Sequence, residues 1–251
     1  MLRALALAFV VTGCAHSGRS PSPAPAASPA APAAAPAPGP ASASASPSPS
    51  AKVAGAVGEA EARYADLVRR AEAGEAIDFR ALRWAWLHGA SMKIDPWSER
   101  LSALRDAMFE AMGEQGDPAV VLARAREILE INYVDLDAQM ARWRACELLK
   151  DEPCIQRSRV ISQGLLDSVI EGGNGASCAT AWKVVSVDEE YFVLRVMGAR
   201  RLRQAVVKEG GNTCDALEVE REDGRRRTLY FEISEVLAAV GRRLGAGSGD
   251  E

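Results

Sequence analysis

The chain has 251 residues, a formal net charge of -4, 48% hydrophobic and 25% charged residues. Those averages exclude a polytopic membrane protein, a collagen and a nucleic-acid binder with a strongly basic surface. They conceal a division: ten of the 13 prolines lie between Pro21 and Pro49, and Arg19 is the one charge between Ser17 and Ser50. A charge-rich body of about 200 residues, enough for one large domain or two small ones, comes after this leader.

Met1-Leu2-Arg3 reads as a basic n-region and Ala4 to Val11 as an apolar run. The run is far short of the roughly 20 residues that cross a bilayer, and it suits a signal peptide. Val11-Thr12-Gly13-Cys14 comes next and resembles a bacterial lipobox. That resemblance implies cleavage of residues 1–13, acylation of the Cys14 thiol, and attachment to a membrane through the acyl chains. Ala15 is not the Asp that retains many lipoproteins at the inner membrane, so the expected address is the outer membrane, facing the periplasm. Residues 14–52, rich in Pro, Ala and Ser, are expected to form a disordered tether, because they cannot bury enough apolar surface to offset their ordering entropy.

The body is expected to be α+β. A helical layer over residues 53–172, built from antiparallel hairpins, is followed over residues 173–245 by a small, mainly antiparallel sheet with one or two helices, and residues 246–251 form a loose tail. Asp78 is a good N-cap for a helix carrying Phe79, Leu82, Trp86 and Leu87. Pro96 opens the next, with Leu101, Leu104, Met108 and Met112 at helical spacing. Asp117-Pro118 caps a third, whose face is Val121, Ala125, Ile128 and Asn132. Leu136, Met140, Trp143 and Cys146 stripe the fourth; Ile161, Leu165 and Val169 stripe the fifth. Gly116 to Gln156 resembles a tetratricopeptide unit, with Asp151 recurring 34 residues after Asp117. One legible unit serves either as a peptide-binding groove or as a helical layer packed on the rest, since independent solenoids need three or more.

After Gly175 the pattern changes. Trp182 to Ser186 reads as a strand, and Ser186 with Glu189 as a capping box for a helix from Val187 to Met197. Gln204–Lys208, Asp215–Arg221 and Arg226–Ile233 read as strands. A two-residue loop at Asp223-Gly224 would set apolar side chains against the wrong face. A loop of three or five residues restores the match, for example Val219 opposite Leu229 and Leu217 opposite Phe231. A last helix begins near Ser234.

Four cysteines remain in the body, and export would place them in an oxidising compartment. Of three connectivities, Cys146–Cys154 and Cys178–Cys214 are favoured, because the first pair flanks the bend Lys150-Asp151-Glu152-Pro153. Loop closure gives about 2.6 and about 3.8 kcal/mol respectively. A zinc site is the rival; it is opposed by the lack of a Cys-x-x-Cys pair and by a body with His88 as its one histidine.

Gln163-Gly164-Leu165-Leu166-Asp167-Ser168-Val169-Ile170, Gly173-Asn174-Gly175, Thr180-Ala181, Val184-Val185-Ser186-Val187, Glu190-Tyr191 and Leu229-Tyr230-Phe231-Glu232-Ile233-Ser234 occur in that order. Together they resemble a bacterial family, domain of unknown function 4919, over roughly residues 78–240. The resemblance implies an envelope or secreted protein with helices before a small sheet, and no assigned activity. Asn174 stands where that family usually has Asp, and Glu189 where it often has His.

The candidate chemistry is Asp188-Glu189-Glu190-Tyr191 beside Gly173-Asn174-Gly175. Paired carboxylates near a glycine turn can act as acid and base or hold a cation. In the plainer reading Glu189 closes the capping box in solvent, and the acidic residues complement the helix dipole. His88 reads as a partial helix cap. The function expected is therefore a lipid-anchored envelope protein acting as an interaction or structural module, with an envelope protein as partner, no nucleic acid, no cofactor and an unknown small-molecule substrate. The alternative is a carboxylate-dependent or metal-assisted hydrolase using Glu189, Glu190 and Tyr191.

Overall fold

The computed structural model describes residues 49–89, 91, 99–113 and 116–246. The expected signal peptide, Cys14, Pro96 and the tail after Ala246 lie outside them. The helix α1 (Pro49–Glu72) begins inside the segment expected to be tether. Proline is tolerated in a first helical turn, and Ala, Glu and Arg are frequent in the later turns, so helix propensity overrides the Pro/Ala/Ser character at its edge.

Five more helices come after it: α2 (Phe79–His88), α3 (Glu99–Ala111), α4 (Pro118–Ile131), α5 (Leu136–Leu149) and α6 (Glu152–Ile170). Four of them start on aspartates. The side chains of Asp78, Asp117, Asp135 and Asp151 accept from the backbone N–H of Ala81, Ala119, Ala138 and Cys154. Each satisfies a donor that the first helical turn cannot pair internally. The bend between α5 and α6 passes through Lys150, at φ 58° the one described non-glycine residue with positive φ. Cys146 and Cys154 are joined across it.

The stripe expected on α5 is corrected by its neighbours. Met140 and Trp143 are half-buried, while Ala138, Ala141 and Ala145 are interior. The helix packs against both α4 and α6, and small side chains allow a close approach on each side. On α3 Met108 is enclosed, but Met112 lies just past the helix and is exposed.

The sheet has the order β1-β4-β3-β2, with β1 (Trp182–Lys183), β2 (Ala199–Glu209), β3 (Asn212–Arg221) and β4 (Arg226–Glu232). The pair β1–β4 is parallel and the rest antiparallel. The helix α7 (Val187–Val196) joins β1 to β2, and α8 (Ser234–Ala246) closes the described fold. The first strand is shorter than its valine run implies. Val184 N still donates to Glu232 O, but Val185 N donates to the Glu189 carboxylate, which ends the ladder.

The strands β2 and β3 meet in a two-residue turn, Gly210-Gly211, both at positive φ (60° and 86°). That is the geometry of a type I′ hairpin, which glycine enters without penalty. Between β3 and β4, Glu220 pairs with Arg226, leaving the five-residue loop Arg221–Arg225. The odd length holds, but the register is two residues from the example pairing: Leu217 faces Leu229, Asp215 faces Phe231 and Val219 faces Arg227. The strand β2 carries a bulge between Arg201 and Arg203.

One core joins helices and sheet. Leu82, Trp86 and Leu87 of α2 and Ile161 and Leu165 of α6 belong to the same cluster as Leu217, Leu229 and Phe231. A second cluster fills the α3–α4–α5 stack around Met108, Ala125 and Ile128. The pair Cys178–Cys214, with Ala181, forms a third.

Candidate functional site

The first turn of α7 carries the acidic cluster. Successive helical residues are rotated by about 100°, so four in a row point in all directions. Here each is met by a different element. Asp188 receives Arg105 of α3 at 2.6 Å. Glu189 receives Arg83 of α2, Glu190 faces Asp215 of β3, and Tyr191 receives Arg201 of β2.

Arg83 is 1% exposed and Glu189 3%. The guanidinium is bidentate, Nε to Oε1 at 2.7 Å and Nη2 to Oε2 at 2.6 Å. Its other donors reach Lys183 O (2.9 Å), Ser168 O (2.8 Å) and Ser168 Oγ (3.3 Å). Five N–H groups thus find five acceptors, which is what a buried guanidinium requires. Glu189 Oε2 also accepts from Val185 N at 2.8 Å. Ser186 Oγ accepts from Glu189 N at 3.4 Å, so half of the capping box forms. The other half does not: the Glu189 carboxylate is inside the protein on Arg83, not back on the Ser186 amide in solvent. An available buried cation outweighs a solvent-side cap.

Glu190 is fully enclosed and Asp215 is 4% exposed. Neither oxygen of Glu190 has a hydrogen-bond partner among described residues, nor has Asp215 Oδ1. Asp215 Oδ2 accepts from Gln204 Nε2 at 2.9 Å. Gln204 Oε1 in turn accepts from Arg201 at 2.7 Å, and Arg201 lies 5.1 Å above the Tyr191 ring. Burial first, then the charges of Asp215 and Glu189, push the Glu190 carboxyl up to about 9, against a smaller opposing effect of Arg201. Glu190 is therefore a neutral acid at pH 7. Burial beside the charges of Asp215 and Glu189 favours this form, as close carboxyls in an enclosed site resist ionising together.

The Gly173-Asn174-Gly175 loop is held by other neighbours. Asn174 Oδ1 accepts from Ala176 N (2.9 Å) and Thr180 Oγ1 (2.8 Å). Gly175, at φ 64°, leaves no room for a side chain: a Cβ would lie 2.5 Å from the Trp182 ring. Trp182 Nε1 donates to Gly173 O at 3.2 Å, and Tyr230 N to Gly175 O at 3.0 Å. The loop is a clasp over Trp182, next to the Cys178–Thr180 turn. An acceptor oxygen is what the side chain at position 174 contributes, and Asn provides it as well as Asp.

His88 closes α2. Its Nδ1 lies 3.1 Å from Arg242 of α8, and its ring stacks on Trp84. Burial, ahead of Arg242, lowers its pKa against the pull of Glu235. A cleft of about 520 Å³ between α1 and α2 is lined by Arg63, Arg80, Trp84 and His88. Another, of about 600 Å³, lies among Tyr64, Val68, Tyr133 and Arg142. The acidic cluster of α7 lines neither. Among the described residues no group of three or more His, Cys, Asp or Glu side chains is placed to hold a metal, and no helix is long and apolar enough to cross a membrane.

Residues 56–242 match the family model described as Domain of unknown function (DUF4919). The chain belongs to this family. The match starts within α1 and ends within α8, so it takes in the whole body, including the helix ahead of the segment that carried the resemblance. No curated protein and no solved structure matches.

Arg83, Asp215, Gln204 and Arg201 were not legible as site residues. The signal for Arg83 is its place on the apolar stripe of α2, three and four residues before Trp86 and Leu87. Asp215 shares the alternation of Leu217 and Val219, a charge at a core position of a strand.

Proposed function

We propose that this protein is a lipid-anchored component of the bacterial cell envelope, held at the outer membrane through Cys14 and acting there as a non-catalytic interaction or structural module. Residues 14 to about 48 serve as the spacer between membrane and body. The observation that carries the non-catalytic reading is the enclosure of the α7 carboxylates. Glu189 is neutralised by Arg83 and Glu190 is folded against Asp215. An acid or base must reach a substrate proton, and these two face the interior. The two cysteine pairs of the body support an oxidising compartment, in keeping with the Val11-Thr12-Gly13-Cys14 signal.

The hydrolase reading has one point in its favour, the raised pKa of Glu190, which suits a general acid. Its enclosure does not.

Growing cells with labelled palmitate tests the anchor. The wild-type chain takes up label and sediments with outer membranes, and Cys14→Ser does neither; an unlabelled, soluble wild-type chain overturns the reading. Glu190→Gln tests the absence of catalysis: it retains the cellular phenotype of the wild-type gene. Loss of phenotype in a stably folded variant favours the hydrolase.

A further inference from the structure

The strand β2 lies at the edge of the sheet, with β3 as its one neighbour among the described strands, and runs for 11 residues without proline. In an antiparallel ladder alternate residues point their N–H and C=O groups away from the paired side. Eight of its positions are exposed, and Val206 is 62% accessible. The opposite edge, β1, has two residues. So β2 is the place where this sheet can accept another strand.

Charge selects what can pair there. At the β2 end nearest Gly198, three adjacent strands carry Arg200, Arg201, Arg203, Arg221, Arg226 and Arg227 against Glu218 and Glu220. Glu220 is shared between Arg200 and Arg226. Glu218 is 3.9 Å from Arg203, whose side chain is 86% exposed. Arg227 donates to a thioether, Met197 Sδ, at 3.6 Å. With Glu222, Asp223 and Arg225 of the connecting loop included, seven arginines stand against four carboxylates at this end, on a chain whose net charge is -4. A second β2 paired in parallel register would bring Arg200, Arg203 and Lys208 against the same cations, and like charges across a strand pair are destabilising. The strand's own charges thus disfavour that pairing and attract the opposite sign.

We propose that β2 is a docking edge for an extended acidic polypeptide segment, which adds to the sheet as a fifth strand with its carboxylates over Arg200 and Arg203 of β2 itself. Main-chain hydrogen bonds supply the strand pairing and the arginines supply selectivity. This deepens the interaction role proposed above and rests on it.

The test uses the full chain and three synthetic nonapeptides. The first alternates Glu with Thr, the second replaces Glu by Lys, and the third keeps Glu but is N-methylated at alternate residues, which preserves charge and abolishes strand pairing. The expected result is slowed amide exchange across Ala199–Glu209 with the Glu peptide alone. Arg200→Glu with Arg203→Glu weakens that binding at least tenfold, and N-methylation weakens it at least tenfold. No binding, protection elsewhere, or equal binding of the N-methylated peptide overturns strand addition. Protection of β2 in the free chain that rises with protein concentration overturns it in favour of a second copy. If the edge fails while palmitate labelling and the Glu190→Gln phenotype behave as above, the docking edge alone is refuted.

Discussion

The Nη2 atom of Arg83 lies 2.6 Å from Oε2 of Glu189, 106 residues further along the chain, with both side chains almost fully enclosed. This pair draws α2, α6, β1 and α7 to one point, since the same guanidinium also holds Ser168 O and Lys183 O. Removing one partner strands a charge in the interior, at a cost of about 3–5 kcal/mol. Arg83→Met is therefore expected to lower stability by that much in urea titration. The double variant Arg83→Met, Glu189→Met recovers part of the loss: the stranded charge is gone, but Ser168 O, Lys183 O and Val185 N lose the bonds the pair gave them. A double variant no more stable than the single one contradicts this account.

Glu190 makes stability depend on pH. Its folded pKa, about 9, lies above the unfolded value of about 4.3. Between those values the folded state binds more protons than the unfolded one, so the stability from this group is complete below about pH 4 and is lost as pH rises towards 9. Glu190→Gln mimics the neutral acid. Compared with wild type it should gain stability steadily from pH 5 to pH 8, by at most about 1.4 kcal/mol per pH unit. Paired denaturant titrations at three pH values measure the difference, and a pH-independent difference refutes the protonated pair.

The two disulfides should not be equivalent. Cys178–Cys214 closes a loop with a sequence separation of 36, Cys146–Cys154 one of 8. Chain-entropy arithmetic gives about 3.8 against about 2.6 kcal/mol. Replacing Cys178 and Cys214 by Ala should lower the melting temperature more than replacing Cys146 and Cys154. Thermal melts of the two double variants provide the comparison.

Gly175 combines a positive φ with a wall of indole. Gly175→Ala is expected to cost about 1–3 kcal/mol, from backbone strain and displacement of Trp182. Gly210→Ala has the same backbone problem in open space and should cost roughly 1 kcal/mol. Parallel melts of the two variants isolate the contribution of the indole contact.

Much of the helical architecture could be read from residues that act locally. Asp78, Asp117 and Ser186 each announce a helix start because a cap needs only its own next turn. Leu165 and Val169 betray a buried face by spacing alone. The features that stayed hidden depend on distant neighbours. The early part of β2, Ala199 to Arg203, shows no alternation, since the bulge between Arg201 and Arg203 breaks the period of two. The alanines of α5 became interior through packing on two sides. The family signature around Glu190-Tyr191 was visible as letters, but its partners Asp215 and Arg201 are joined to it only by the fold.

The five acceptors around Arg83 also set a timetable. They arrive 85, 100 and 106 residues after the arginine itself. The Lys183 carbonyl is positioned by a two-residue strand that pairs with β4, nearly fifty residues later again. A chain made N-terminus first thus presents α2 with an unneutralised cation until almost the whole body has emerged. Burial of α2 with its charge satisfied therefore requires β1 and α7, and through β1 the strand β4, so protease resistance is expected only once β4 has been made.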